Sequence, residues 1–201
     1  ILVPFAVESS LSGVQKRVGS DNELWYQRAF TVPAKWKNNR ILLHFGAVDW
    51  KADVWVNDVK VGQHTGGYTP FSFDITAALH KGENSLVVKV WDSTDKGYQP
   101  RGKQVSKPEG IWYTPVTGIW QTVWLEPVPE KHIENVKITP NIDNNTLTVE
   151  AFTNAASSAN RVEVKVKEGS EVVATAQSIN NQPVEVTMPD NMKLWSPDSP
   201  H

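Results

Sequence analysis

The side chains best able to do chemistry in this sequence gather in one stretch. Between Asp92 and Gly118 lie Tyr98, Arg101, Lys103, Gln104, Lys107, Glu109, Trp112 and Tyr113. A carboxylate, a guanidinium, an amide and aromatic rings in one run can exchange protons, donate several hydrogen bonds and stack on apolar faces. Glu109 is the best candidate for a functional acid, although an exposed loop glutamate is ordinary on any soluble protein. The other carboxylates sit in no recognisable motif. There is no phosphate-cradling glycine loop and no Gly-x-Ser-x-Gly elbow. The five histidines (His44, His64, His80, His132 and His201) lack metal-ligand spacing, and Cys is absent, so thiolate nucleophiles, zinc-thiolate sites and disulfides are excluded. His44 alternates with apolar strand residues and reads as a packed or surface histidine. Asp49, Asp53 and Asp74 are dispersed and read as turn and strand-end residues rather than a calcium cage. No metal and no cofactor is expected.

The scaffold that must position this stretch is read from two-residue alternation. Leu24, Tyr26, Phe30 and Val32 share one face; so do Ile41, Leu43 and Phe45; then Phe71, Phe73 and Ile75; then Leu86, Val88 and Val90. Ile119 to Leu125 reads as the last strong strand of this half. Asn57-Asp58 between Val pairs predicts a tight hairpin, because Asn and Asp tolerate positive φ. Seven or so short strands with turns between them predict a jelly-roll β-sandwich. Against that frame Asp92–Gly118 is a 27-residue connection, beyond the ~12–15 usual for unstructured loops, and such loops are commonly functional.

Composition shifts at Glu126-Pro127-Val128-Pro129-Glu130, where two prolines disfavour sheet pairing and predict a stiff link. Residues 1–129 are therefore expected as one domain and 130–201 as a second. In the latter, alternation recurs over 132–139, 146–153, 161–167, 171–177 and 184–188, which predicts a smaller immunoglobulin-type sandwich. Such domains need about seven strands, so this one is expected to be incomplete, with exposed edges that invite self-association. The fold class is all-β throughout.

The formal charge of −2, with Lys and Arg mixed among Asp and Glu, leaves no basic face for nucleic acid. No apolar run approaches a membrane span. Nine Trp are present; packing in the core is the default reading of each, with a sugar-stacking platform as the alternative.

Phe45 to Asn57 (Phe-Gly-Ala-Val-Asp-Trp-Lys-Ala-Asp-Val-Trp-Val-Asn), continuing from Val61 to Thr76, resembles the sugar-binding jelly roll of family 2 glycoside hydrolases. Trp25 to Phe30, Gly82 to Val88 and Gly118 to Leu125 agree in the right order. Leu194-Trp195-Ser196-Pro197 is similar to a segment late in the family's immunoglobulin-like second domain. The resemblance covers essentially the whole chain. It implies the non-catalytic front of a retaining β-glycosidase, β-galactosidase-like, with β-glucuronidases and β-mannosidases in the same family. In that family the paired glutamates lie on a TIM barrel beyond the second domain; neither glutamate motif is found here. The implied partners are a β-glycoside carbohydrate and that barrel. The long loop is expected to reach towards the barrel mouth, with Arg101, Gln104, Glu109, Trp112 and Tyr113 as sugar contacts. The implied home is the bacterial periplasm or cell exterior. A stand-alone carbohydrate-binding module is the main competing reading, and a purely structural sandwich pair the third, since fold alone does not fix function.

Overall fold

Leu24, Tyr26 and Phe30 turn one face of an extended chain towards a core, and that stretch is the first strand. A computed structural model describes residues 1–154, 160–179 and 182–200. By its contacts the chain divides into two units, Ile1–Pro129 and Glu130–His201. In the first unit the strands are β1 (Leu24–Thr31), β2 (Arg40–Phe45), β3 (Val48–Asp49), β4 (Lys51–Val56), β5 (Val59–Thr65), β6 (Phe71–Asp74), β7 (Glu83–Trp91), β8 (Gly118–Ile119) and β9 (Val123–Val128). One sheet has the order β1-β7-β4-β5, a second β6-β2-β9, and the short β3 and β8 pair with each other. All pairings are antiparallel. Residues from both larger sheets fill one core: Ile41, Leu43 and Phe45 of β2, Ala52, Val54 and Val56 of β4, Val88 and Val90 of β7. Each such side chain contributes roughly 1.5–3 kcal/mol by leaving water.

Two expectations are corrected here. Ile119–Leu125 is not one strand: pairing stops after Ile119 and resumes at Val123. The proline-rich stretch does not end the sheet, because Pro127 lies within β9 opposite Ile41. β9 is the outer strand of its sheet, where a residue with no N–H to donate leaves no ladder bond unmade. The hairpin expectation holds. Asn57 and Asp58 have φ 48° and 64°, and Asn57 is tied down on both sides of its amide. Its Nδ2 donates to Ala78 O at 2.8 Å and Asn84 Oδ1 at 2.7 Å, while its Oδ1 accepts from Ser85 N at 2.9 Å.

The tryptophans also depart from the default reading. None of the nine is fully buried; Trp25, Trp91, Trp112, Trp124 and Trp195 are exposed. The pleat explains much of this: Trp25 and Trp91 occupy the register positions opposite to those of Leu24, Tyr26 and Val90, which face the core.

The five alternating segments of the second unit form β10 (Ile133–Asn141), β11 (Thr146–Thr153), β12 (Arg161–Glu168), β13 (Glu171–Ile179) and β14 (Val184–Thr187). Among the described residues they make a β10-β11-β14 sheet and a β12-β13 pair. Val149, Val186 and Met188 form its buried centre, with Val164, Val166 and Val173 packed against them. β10 is the weak point. Val136 and Ile138 pair with the buried Ala151 and Val149 and so share their face, yet remain 44% and 60% exposed. An outer strand with an uncovered apolar face favours pairing with another chain. Sedimentation of the chain is expected to show concentration-dependent association that Ile138→Lys suppresses; a single monomeric species across the concentration range would contradict it.

Candidate functional site

The long loop is held by buried acids that come from distant parts of the sequence. Asp49 of β3, Asp92 just after β7 and Glu8 near the N-terminus are each at least nine-tenths buried. Glu8 Oε2 accepts from Thr117 N at 3.0 Å, which fixes the end of the loop. Asp92 accepts from Thr94 N at 2.8 Å and Thr94 Oγ1 at 3.3 Å, which fixes its start. That bond matters because Thr94 sits at φ 54°, a strained conformation for a β-branched residue. The Gln104 side chain stands close enough to Asp49 to offset part of the rise in its pKa, and Gln104 Oε1 accepts from Val116 N at 2.5 Å. One amide therefore joins the loop's middle to its far end, beside the β3 strand.

These acids are close enough to disturb one another. Burial, then the neighbouring charges of Asp92 and Glu8, pushes Asp49 up to about 7. Burial likewise raises Glu8 and Asp92. Thr117 stands beside both of them and offsets part of the rise. Glu8 Oε1 has no hydrogen-bond partner among the described residues, which suits a carboxyl that burial pushes towards its neutral form. Tyr26 completes the cluster from β1: its hydroxyl accepts from Ile119 N at 3.1 Å, and burial pushes its pKa up to about 12. Two glycines are required beside these groups. A Cβ on Gly67 would stand 2.5 Å from Asp49 Oδ1, and one on Gly118, at φ 87°, would overlap the Tyr26 hydroxyl.

Further out, the two arms of the loop are clamped together. Asp95 accepts from Ser106 N at 2.9 Å and Ser106 Oγ at 2.6 Å, and these bonds hold its carboxyl below the usual range. Tyr113 N donates to Lys103 O at 2.7 Å and Val105 N donates to Tyr113 O at 3.1 Å. The clamp brings cations over rings: Arg101 lies 5.7 Å from the Trp112 ring centroid, and Lys103 5.9 Å from that of Tyr113.

This frame sorts the five residues expected at the site. Arg101, Trp112 and Tyr113 come together, with Trp112 and Tyr113 exposed and Arg101 Nη1 steadied by Asp95 O at 3.0 Å. Gln104 turns inward, and its amide oxygen is committed to Val116 N beside Asp49. Glu109 is exposed, and its main-chain carbonyl accepts from Trp112 N at 3.1 Å; the buried acids lie elsewhere. Glu8 was missed because nothing local marks it, and Asp49 because it reads as a strand-end residue. Lys103 was noted in the sequence but not chosen.

Comparison with known proteins places this architecture. The profile of "Glycosyl hydrolases family 2, sugar binding domain" matches residues 12–129, and that of "Glycosyl hydrolases family 2" matches residues 131–201. The chain belongs to glycosyl hydrolase family 2. It is 32% identical over 188 residues to a beta-galactosidase of Thermoanaerobacter pseudethanolicus, covering 88% of this chain and 24% of that protein. It is 30% identical over 186 residues to a putative beta-glucuronidase of Formosa agariphila, covering 88% and 22%. The solved beta-glucuronidase of an uncultured Clostridium sp. superposes with TM-score 0.72 at 26% identity, over 98% of this chain and 34% of that one. The Lactobacillus rhamnosus beta-glucuronidase gives 0.73 at 26%, with the same coverage. This family 2 chain thus spans less than a quarter of the length of these two curated relatives.

The acid cluster gives the first unit of this family 2 chain a pH signature. A carboxyl whose pKa is raised on folding holds its proton more tightly in the native state. Its contribution is therefore complete below the ordinary value and lost as pH rises through the folded one. For Asp49 that window runs from its ordinary 3.8 to about 7. Thermal denaturation is expected to show the first unit more stable at about pH 5 than at about pH 8, by on the order of a few kcal/mol. Asp49→Asn, which cannot ionise, is expected to flatten much of that slope; an unchanged slope in the variant would contradict the assignment.

Proposed function

We propose that this chain is the non-catalytic front portion of a larger family 2 β-glycosidase, in which it scaffolds the catalytic domain and lends the 92–117 loop to the sugar site. The observation that carries this reading is the loop itself. Three buried acids and an inward amide hold a connection that would otherwise be free, and its tip presents Trp112 and Tyr113 to solvent with Arg101 and Lys103 beside them. A spacer has no use for such a device. A sugar site has two: aromatic faces stack on the C–H faces of a pyranose, and guanidinium and ammonium groups donate to its hydroxyls. In this reading Arg101, Trp112 and Tyr113 are sugar contacts, Glu109 is available as an exposed acceptor, and Gln104 is a positioning residue.

A β-galactoside is the proposed substrate class, supported by the beta-galactosidase relative at 32% identity. Beta-glucuronidases among the relatives make a glucuronide the alternative that the assay must include.

The test is made in the parent enzyme with aryl β-galactoside and aryl β-glucuronide substrates. Alanine at Trp112, at Tyr113 and at Arg101 is expected to lower kcat/KM about tenfold or more for the true substrate, as loss of a positioning contact does. The melting temperature should hold steady for Trp112 and Tyr113, whose side chains are exposed. Unaltered kcat/KM in all three variants on both substrates would remove the proposal.

A further inference from the structure

The residues ahead of β1 form no strand, yet they are anchored. Val7 is buried and Val3 packs against the core of the first unit. The buried Ser12 closes the next turn, its hydroxyl donating to Ser9 O at 2.7 Å and accepting from Val14 N at 3.0 Å. From this base, four residues reach the long loop or its flanks. Glu8 accepts from Thr117 N, Arg17 Nη1 donates to Ser106 O at 3.0 Å, Ser20 O accepts from Trp91 Nε1 at 2.9 Å, and Asp21 lies 3.5 Å from Lys96. We infer that residues 7–21 form a strap across the 92–117 loop, in which Arg17 is a positioning residue for the loop tip. This inference rests on the reading of that tip as a sugar contact.

The four contacts are unequal. Glu8 and Ser20 act at the two ends of the loop. The Lys96–Asp21 pair is exposed on both sides and adds little. Arg17 reaches the outer arms, which most need help. No residue from Asp95 to Thr114 is buried, and the arms are joined mainly to each other, through Asp95–Ser106 and Lys103–Tyr113. A segment with exposed hydrogen bonds and no buried apolar side chain opens easily. A bond from outside the loop, made across 89 residues of sequence, favours its closed form.

Arg17 is also placed to make that bond. On one side Lys16 N donates to Val7 O at 3.1 Å, which ties the chain back to the buried valine. On the other, Gly19 at φ 74° turns the chain, and Asn22 closes the turn by donating from Nδ2 to Val18 O at 2.7 Å. The backbone at Arg17 is therefore set before its side chain reaches out, and less freedom is lost in making the contact. A guanidinium keeps its charge, and a charged donor makes the stronger hydrogen bond to a carbonyl.

What Arg17 holds leads to the tip. Ser106 is the residue whose N and Oγ both donate to the Asp95 carboxylate. The main-chain carbonyl of Asp95 accepts from Arg101 Nη1 at 3.0 Å, and Arg101 lies over the Trp112 ring. The path from Arg17 through Ser106 and Asp95 to Arg101 and Trp112 is thus a continuous chain of contacts, and Arg17 itself touches neither ring.

The test compares Arg17→Ala and Arg17→Lys with the parent chain by amide hydrogen exchange. Ser106 and Tyr113 amides are expected to exchange about fivefold faster or more in Arg17→Ala, and Arg17→Lys, which keeps a charged donor, should restore much of their protection. Amides of Leu43 and Val54 should hold steady. Arg17 is exposed, so neither variant disturbs the core. In the parent enzyme, assayed with aryl β-galactoside and aryl β-glucuronide, Arg17→Ala should lower kcat/KM about threefold or more, with little further loss when added to Trp112→Ala. Parent-like exchange at Ser106 and Tyr113 in Arg17→Ala would overturn the inference. So would faster exchange throughout the core, or an Arg17→Ala loss of kcat/KM that is undiminished in the Trp112→Ala background. If Trp112→Ala itself leaves kcat/KM unaltered, the sugar-contact reading fails, and the exchange comparison still decides whether Arg17 holds the loop.

Discussion

Glu8, Asp49 and Asp92 share a space from which water is largely excluded, and three carboxylates cannot all hold charge there without help. The chain answers from the long loop, with hydrogen bonds from Thr117 to Glu8 and from Thr94 to Asp92, and with the Gln104 side chain set beside Asp49. Leaving any of these acids unpaired would cost the full desolvation of a polar or charged group. The loop is consequently fastened to the sandwich at its start and its end, and its own clamp, from Asp95 to Ser106 and from Lys103 to Tyr113, holds the arms between. That is how a connection of such length can present exposed rings in a fixed arrangement. The requirement reaches back into the scaffold, since Gly67 and Gly118 must lack side chains for Asp49 and Tyr26 to occupy their places.

The same logic divides labour among the aromatics. Core volume in the first unit is supplied by Val, Ile, Leu and Phe, whose positions follow the pleat. Trp36 packs against that core, while several other tryptophans sit at the surface: a stacked pair with lysines over the rings, Trp91 held by Ser20, and Trp112 beneath an arginine. Family 2 membership gives these surfaces a setting. The pyranose chemistry proposed for the loop rests on its rings and their polar neighbours, and the choice of glycoside on the relatives.

Most of the strand pattern was legible because alternation is local: Ile41, Leu43 and Phe45 announce β2 without reference to anything else. The hairpin at Asn57-Asp58 was legible for the same reason, as positive φ selects its residues. What could not be read was long-range. Glu8 meets Thr117 across more than a hundred residues, and Asp49 meets Asp92 only because β3 and the end of β7 are brought together. No spacing rule records such encounters. Pro127 misled because a proline reads as a sheet breaker until the strand is known to lie at an edge. The loop was recognisable by length and content, but the inward turn of Gln104 was not, since an amide on a loop looks the same whether it faces sugar or protein.

Amide hydrogen exchange tests most directly whether the acid cluster orders the loop. In Asp49→Ala, which removes the buried carboxyl beside Gln104, the amides of Val116 and Thr117 should exchange much faster than in the parent chain. Those of Leu43 and Val54, in the core, should keep their protection. Equal protection at Val116 and Thr117 in both proteins would contradict the dependence of the loop on the buried acids. Loss of protection throughout the first unit would mean that Asp49 holds up the sandwich as a whole rather than the loop.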